Sequence, residues 1–160
     1  MSSVSEDIPL NEHPAVNDRR LRQAMEMNRL GTWSLSPDNR EIRMDERMSE
    51  MMTGQHHSST LVLEEALQAV HPDDQARVRD LLLDALKSEG NGECAASFRV
   101  IIPGKRIRWI KLLGYTEFSN QGGKRTAVDL TGTASDATEE HQSEKLVLAQ
   151  KHLLERIVQG

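Results

Sequence analysis

Cysteine, aromatic residues and long apolar runs are all scarce in this sequence. A single cysteine, Cys94, excludes a disulfide framework and any zinc site that needs several cysteines. Aromatic residues make up 3% of the chain, so a core has to be built from aliphatic side chains and from the seven methionines. No apolar run approaches the roughly 20 residues of a transmembrane helix. The polar start also lacks a signal-peptide pattern, so the sequence predicts a cytoplasmic protein without a membrane-inserted segment.

A concentrated basic segment is missing as well. Lysine and arginine number 20 against 25 aspartates and glutamates, which gives a formal net charge of -5. A mildly acidic chain without a basic block argues against nucleic acid or an anionic membrane as the main partner. The 160 residues suffice for one domain with flanking helices and are too few for two full domains.

The N-terminal half is predicted to be mainly helical. Residues 1–17 carry no periodic pattern and are predicted to be a polar arm. Residues 18–30 have helical spacing, and residues 32–45 alternate as a hairpin does. Three further helical segments, separated in part by a polar loop at 55–60, are predicted at 46–53, 61–70 and 72–89.

The C-terminal half alternates with the period of strands. Three such segments lie at 93–102, 106–118 and 126–135 and are joined by turns rich in glycine. The segment 106–118 has apolar residues at both parities, so its sheet needs cover on both faces. The inner helices can cover one face, and the two terminal helices are the candidates for the other. This order of elements predicts an α+β fold with an antiparallel sheet, followed by a charged helix at 138–158.

Four segments, in this order along the chain, resemble the PAS domain, specifically the bacterial PAS-fold subgroup that ends in a PAC motif. They are LGTWSLSPDNREIRMDERMSEMMTG (30–54), AVHPDDQARV (69–78), FRVIIPGKRIRWIKLLG (98–114) and VDLTGTASDATEEHQSEK (128–145). The resemblance covers about residues 20–145 and implies a five-stranded antiparallel sheet with helices on one face and flanking N- and C-terminal helices. The chain departs from the family pattern in a shorter turn at 103–106 and in Ala137, the middle position of the terminal motif.

The resemblance implies a non-enzymatic sensory or regulatory module, with a PAS domain at 18–137 and an exit helix at 138–160. Residues 145–160 are similar to the connecting helix that leads into a GAF domain in multidomain bacterial sensors. We therefore expect the chain to be the N-terminal piece of a longer signalling protein. Its output domain would be a histidine kinase of a two-component system or a cyclic-di-GMP enzyme with GGDEF or EAL domains. Family membership by itself names no ligand.

Two other classes of function remain open. One is a ligand-free dimerisation or scaffold module with a filled core. The other is a small enzyme on a similar curved sheet, for which Tyr115 and Asp129 are the acid–base candidates, although structural roles are favoured for both. The sequence contains no hydrolase, metalloprotease or phosphate-loop motif.

Apolar residues of the inner elements are the candidates for lining a ligand cavity. They are Met48, Met51, Met52, Leu67, Phe98, Val100, Ile110 and Leu112. Methionine thioethers adapt to irregular ligands, so the methionine cluster, which also includes Met44, could line a pocket. Plain core filling in a chain short of aromatics is the favoured interpretation of that cluster.

Neither flavin nor haem is expected. The flavin motif of the light-sensing subgroup is absent, and Cys94 falls on a strand, where a small buried residue is typical. Haem needs an axial ligand, usually histidine. His56 and His57 lie in a polar loop, and His71 belongs to the start of a helix. The adjacent histidines have no visible third ligand, so no metal site is predicted.

Asp136 and Thr138 carry the greatest functional weight because they lie where the last strand becomes the exit helix. A carboxylate and a hydroxyl at this position can cap the free N–H groups of a helix. Asp136 can also pair with a cation of the sheet, Arg108 or Arg106. Such a joint could switch between two states and transmit a signal, and a static N-cap is the competing interpretation.

A parallel homodimer is predicted through the terminal helices and the outer face of the sheet. The candidate interface residues are Leu21, Met25, Trp109, Leu113, Leu146, Leu153 and Ile157, and Trp33 is added as a further outer-face residue. Leaving such side chains in water costs about 25 cal/mol per Å² of apolar surface. The apolar seam of the exit helix is short and contains Gln150, so we expect the dimer to be weak.

Overall fold

The structure, a computed structural model, describes residues 14–159 and divides into two compact units, whose described parts are 14–30 and 31–159. The first unit is helix α1 (Pro14–Met27). Proline suits the first position of a helix because its missing N–H has no partner to lose there. The helix therefore begins within the predicted arm, whose residues 1–13 lie outside the described residues. Arg29, at a φ of 53°, follows the helix in the left-handed conformation, and the Leu30 amide donates to the Met25 carbonyl at 2.8 Å.

Six strands form one antiparallel sheet in the described part of the second unit. In chain order they are β1 (Gly31–Leu35), β2 (Glu41–Met44), β3 (Ser59–Val62), β4 (Glu93–Ile102), β5 (Arg106–Gln121) and β6 (Lys124–Asp136), and their order across the sheet is β3-β2-β1-β6-β5-β4. The sequence predicted five strands, because β3 lies in a segment taken as a polar loop and a helix start. Its pairing with β2, from Glu41↔Val62 to Met44↔Ser59, is what makes this polar segment an edge strand.

Three helices lie between β2 and β4 in the chain: α2 (Glu46–Thr53), α3 (Leu63–Leu67) and α4 (Pro72–Ala85). Asp45 caps α2 by accepting a hydrogen bond from the Met48 amide at 2.8 Å, and Gly54, at a φ of 81°, ends it as predicted. Nδ1 of His71 accepts from the Asp73 amide at 3.1 Å and caps α4, which is the local role that the sequence indicated. Helix α3 is shorter than the predicted helix at 61–70 because β3 takes its first residues.

The core lies between these helices and one face of the sheet. Trp33 is 4% exposed and belongs to this core, so its prediction as an outer-face residue was wrong. The indole fits because Trp33 pairs with Gly132, which in turn pairs with Gly114. A Cβ atom added at Gly114 would lie 2.8 Å from the Trp33 ring, so only glycine leaves room for the indole here.

Helix α5 (Thr138–Gln159) follows β6 directly. None of its residues is buried, and every residue from 142 to 159 is exposed. Only its first turn lies against the sheet, and most of its length extends away from the core. Within residues 14–159, no helix combines the length and the apolar character needed to cross a bilayer.

Candidate functional site

The junction of β6 and α5 is held by short polar side chains. Oδ1 of Asp136 accepts hydrogen bonds from the Thr138 amide at 2.9 Å and from the Thr138 hydroxyl at 2.6 Å. A carboxylate that accepts from the amide two residues ahead forms an Asx turn, which is a common way to begin a helix. The predicted capping role of both residues therefore has a specific geometry, and Ala137 between them is buried.

The same junction is bonded to β5 through the backbone of Trp109. The Trp109 amide donates to the Thr138 hydroxyl oxygen at 3.0 Å, and the Trp109 carbonyl accepts from the Ala137 amide at 2.8 Å. The Thr138 hydroxyl thus donates to Asp136 and accepts from β5 at the same time. A shift of β5 relative to β6 would strain this pair of bonds.

Arg108 joins the junction to helix α2. Its Nε lies 3.3 Å from Oδ2 of Asp136. Of the two predicted partners of Asp136, Arg108 and Arg106, it is therefore Arg108 that makes the ion pair. Its Nη1 donates to the carbonyls of Glu50 and Met51 at 2.9 and 2.8 Å. These carbonyls belong to the C-terminal part of α2, where the negative end of the helix dipole favours a cation. The sequence contains no signal for this second contact, because Arg108 and Met51 are 57 residues apart in the chain.

The three proposed transmission residues, Asp136, Thr138 and Arg108, are therefore brought together in one cluster. We call this cluster, with the Trp109 backbone, the exit joint. It connects α2, β5, β6 and α5 through charge-assisted and neutral hydrogen bonds. Arg108 is 22% exposed and Asp136 is 47% exposed, so solvent screens part of their attraction.

The indole of Trp109 carries a further contact with the exit helix. Its ring stacks on the imidazole of His141, with ring centroids 3.9 Å apart and an interplanar angle of 14°. The guanidinium of Arg99 lies beside the same indole, 5.7 Å from its centroid. The sequence predicted Trp109 as a dimer-interface residue, which stays a prediction; within its own chain Trp109 is half-buried beside His141.

All eight cavity candidates lie in one apolar core. Their exposed fractions run from 0% at Val100 and Ile110 to 8% at Leu67. Helix α2 contributes Met48, Met51 and Met52 to this core, so the helix that Arg108 contacts also bears three of the eight candidates. Cys94 is buried on β4, and burial raises the pKa of its thiol to about 11, which keeps the thiol protonated at neutral pH.

Residues considered for other chemistry lie apart from this core. The two ring nitrogens of His56 face different carboxylates, Glu46 at 3.2 Å and Glu50 at 2.7 Å, while the ring nitrogens of His57 contact Gln55 and the Ser58 carbonyl. The two histidines therefore do not converge on one point, and among the side chains that the structure describes, residues 19–159, no group of three or more acidic, histidine or cysteine residues could hold a metal ion.

Tyr115 and Asp129, the acid–base candidates, lie on strands β5 and β6. Tyr115 is 58% exposed, and it pairs with Thr131 rather than with Asp129. The two side chains therefore do not form an enclosed acid–base pair.

One buried ion pair escaped the sequence analysis. Asp74, in the first turn of α4, is 5% exposed and accepts hydrogen bonds from Arg99 of β4. The Arg99 guanidinium holds the pKa of Asp74 far below its usual range. The sequence indicated only that Asp74 complements the helix dipole, and the alternation of β4 placed Arg99 on the face away from the core.

The remaining dimer candidates are exposed to different degrees. Leu113 is 48% exposed on β5, and Leu21 is 59% exposed on α1, where Met25 is half-buried. On α5 the exposed fractions are 66% for Leu146, 59% for Leu153 and 67% for Ile157. These positions leave apolar surface available on α5 and on the outer face of the sheet.

Comparisons with known proteins agree with this architecture. A family model described as the PAS fold matches residues 41–130, which is more than half of the chain. A search of curated proteins found no match to the sequence. A solved structure of a sensory box histidine kinase/response regulator from Burkholderia thailandensis is similar, with a TM-score of 0.68 and 20% identity, over 86% of this chain and 98% of that one.

Two further solved structures are similar. The N-terminal domain of a diguanylate cyclase with a PAS/PAC sensor from Marinobacter aquaeolei gives a TM-score of 0.57 and 18% identity, over 70% of this chain and 98% of that one. An RNA-binding light-oxygen-voltage receptor gives a TM-score of 0.56 and 12% identity, over 76% of this chain and 35% of that one. Identities this low show a shared fold, while the family model runs from β2 to the middle of β6 and carries the assignment: the chain belongs to the PAS-fold family.

Proposed function

We propose that this PAS domain is a sensory or regulatory module that passes a ligand- or partner-driven change through its sheet into α5. The output domain would lie outside this chain. The histidine kinase and the diguanylate cyclase among the similar structures support an output of the histidine-kinase or the cyclic-di-GMP type, with GGDEF or EAL domains. In this proposal the chain itself performs no catalysis and works in the cytoplasm.

The observation that carries this proposal is the set of contacts made by Arg108. One guanidinium group bonds both to the end of α2 and to Asp136 at the start of α5. Because α2 also presents Met48, Met51 and Met52 to the core, a ligand that displaced α2 would alter the bonds of Arg108. Asp136 would then lose its cation, and the Asx turn that begins α5 would be weakened.

The energies involved suit a switch. A partly exposed ion pair contributes about 0.2–1 kcal/mol, and a helix cap contributes about 1 kcal/mol. A ligand can shift a conformational equilibrium only by its difference in affinity for the two states, and a few kcal/mol is within reach of a small ligand. Breaking the exit joint therefore does not require unfolding of the domain.

The ligand class that the core supports is small and apolar. The eight candidate lining residues carry no charged group. We expect neither haem nor flavin, because His71 caps α4 and His56 contacts two carboxylates, so neither side chain is placed as an axial ligand in the core.

A second candidate function is a ligand-free dimerisation module. It is favoured by the burial of all eight candidates in one cluster and by the exposed apolar residues of α5. In this alternative the core is filled by its own side chains, and the exit helices of two copies pack together as a parallel pair.

Native mass spectrometry of the purified chain distinguishes these functions because it reports bound mass and copy number together. The sensory proposal predicts a mass increment from an apolar small molecule, in a sample whose absorbance spectrum lacks Soret and flavin bands. A dimer without bound ligand supports the scaffold module. A ligand-free monomer at the highest attainable concentration contradicts both, and a stoichiometric Soret or flavin band from cofactor-supplemented cells contradicts the expected absence of cofactor.

A further inference from the structure

A second row of contacts connects the helical layer with α5; it meets the exit joint at Trp109, where it uses the indole ring rather than the backbone. It begins at Asp74 in the first turn of α4. The Asp74 carboxylate accepts hydrogen bonds from three groups of Arg99: the backbone amide at 2.9 Å, Nε at 3.0 Å and Nη2 at 2.8 Å. A two-point contact between carboxylate and guanidinium fixes both the position and the plane of the guanidinium. Asp74 is 5% exposed, so the carboxylate is shielded from water, while the Arg99 side chain is 30% exposed.

The row continues from β4 to β5 through the contact of Arg99 with Trp109. Arg99 on β4 and Trp109 on β5 are register partners, so their side chains lie on the same face, which is the face away from the core. The guanidinium carbon lies 5.7 Å from the centroid of the Trp109 ring, which is within the range of a cation–π contact. The bonds to Asp74 therefore determine where a positive charge lies beside this indole.

The Trp109 ring makes the contact with the exit helix. Its ring stacks on His141 in the first turn of α5 at a centroid distance of 3.9 Å. Every residue of α5 from 142 to 159 is exposed, so the stack lies at the last point where the helix is partly buried. The orientation of the Trp109 ring thus bears directly on how the first turn of α5 lies on the sheet.

We propose that Arg99 and Trp109 couple α4 to α5, so that a displacement of the start of α4 changes the packing of His141 and with it the direction of the exit helix. Arg108 connects α5 with α2, and this second row connects it with α4. The biological meaning of the coupling rests on the proposed sensory function. The coupling itself is a property of this chain and exists whether or not a ligand is found.

Nuclear magnetic resonance of the full chain tests the proposal, because a stacked indole shifts the ring protons of His141 upfield. Asp74→Asn keeps the shape of the side chain and removes its charge. We expect the His141 signals to lose most of their upfield shift and to move toward those of a Trp109→Leu variant. The matched control is Asp84→Asn, also on α4, which breaks an exposed ion pair with Lys87 just beyond the end of that helix and should leave the His141 signals in place.

The reciprocal measurement uses a variant on α5. Energetic coupling between two sites acts equally in both directions, so His141→Ala should accelerate hydrogen exchange at Nε–H of Arg99, which is bonded to Asp74. This measurement decides the question if Asp74→Asn fails to fold. Unchanged Arg99 exchange in His141→Ala, or unchanged His141 signals in folded Asp74→Asn, would overturn the proposal. A failure to find a ligand would leave both expected results intact.

Discussion

At the scale of single residues, the start of α5 depends on two short polar side chains that each serve more than one bond. Oδ1 of Asp136 accepts two hydrogen bonds from Thr138, while Oδ2 faces Arg108. The Thr138 hydroxyl donates to Asp136 and accepts from the Trp109 amide. Because each group links two neighbours, a single substitution removes several contacts while leaving the apolar core untouched.

We predict that Asp136→Ala leaves the domain folded and disconnects it from its output. The loss of a helix cap costs about 1 kcal/mol, which is a small part of the roughly 5–15 kcal/mol that stabilises a typical domain. Chemical denaturation measures the stability, and the activity of a full-length parent protein measures the response to its stimulus. Asp129→Ala, on the same strand and outside the exit joint, is the matched control.

Two results would contradict this prediction in different ways. A parental response like that of the wild type would mean that Asp136 is only a static cap. Global unfolding of the variant would contradict the expected cost of about 1 kcal/mol and would make the residue structural, without testing the switch.

At the scale of elements, the helices of the inner layer are attached to the sheet by charge as well as by apolar packing. Arg108 caps the end of α2, and Asp74 ties the start of α4 to the backbone and side chain of Arg99. Val78, Leu82 and Ala85 of α4 are buried as predicted, so apolar packing determines which face of α4 lies against the sheet. The ion pair determines where the helix lies along β4. Helix α5 differs from both because its residues from 142 to 159 are all exposed among the residues that the structure describes.

The ion pair of Asp74 predicts a specific dependence of stability on pH. Its folded pKa is depressed, so its contribution is full above the ordinary aspartate pKa of about 3.9 and is lost as the pH falls below that value. A hydrogen bond to a charged group contributes about 1.5–3 kcal/mol. We expect Asp74→Asn to lower the free energy of unfolding by about this amount near neutral pH. As the pH falls below about 3.9, the free energy of unfolding should decrease less in the variant than in the wild type. Equal acid sensitivity of variant and wild type would show that other carboxylates dominate the acid response.

The exposed apolar stripe of α5 predicts a weak parallel dimer that Leu153→Glu disrupts. Together with Gln150, the apolar residues Leu146, Leu153 and Ile157 follow a three-and-four spacing along one side of the helix. Each of the three apolar residues is more than half exposed. We expect the dissociation constant to rise at least tenfold, which corresponds to about 1.4 kcal/mol. Sedimentation over a concentration series measures it.

His152→Glu is the matched control for the dimer, since it introduces the same side chain next to the stripe rather than within it. It should leave the association unchanged. A wild-type chain that stays monomeric throughout the series, with Leu153→Glu behaving identically, would refute the dimer.

At the scale of the whole second unit, the sheet has one face covered by α2, α3 and α4 and another that is open over much of β5. Leu113 and Tyr115 are 48% and 58% exposed on that open face, while Trp109 is shielded by His141 and lies beside Arg99. Both rows of contacts start in the covered layer and end in the first turn of α5. Under the proposed sensory function, a change in the core would reach α5 through both sets of contacts, a connection that a simple scaffold would not need.

The sequence by itself determined the order and type of most elements, because periods of two and of about 3.6 residues are local properties of the chain. It also identified the capping pair Asp136 and Thr138 and eight apolar residues that the structure buries, since apolar parity and a polar helix start are visible without knowledge of neighbours. The role of those eight residues as the lining of a ligand cavity stays a prediction. These features survived in the structure with small changes of boundary, such as the shorter α3.

Only the tertiary structure decided the features that depend on distant partners. β3 is a strand because β2 lies beside it, and the Trp33 ring fits in the core because Gly114 leaves room for it. Arg99 finds Asp74 across 25 residues, and Arg108 reaches α2 across more than twice that separation. A side chain's own sequence neighbourhood does not encode such partners, because they are brought within hydrogen-bonding distance only when the sheet and the helices pack together.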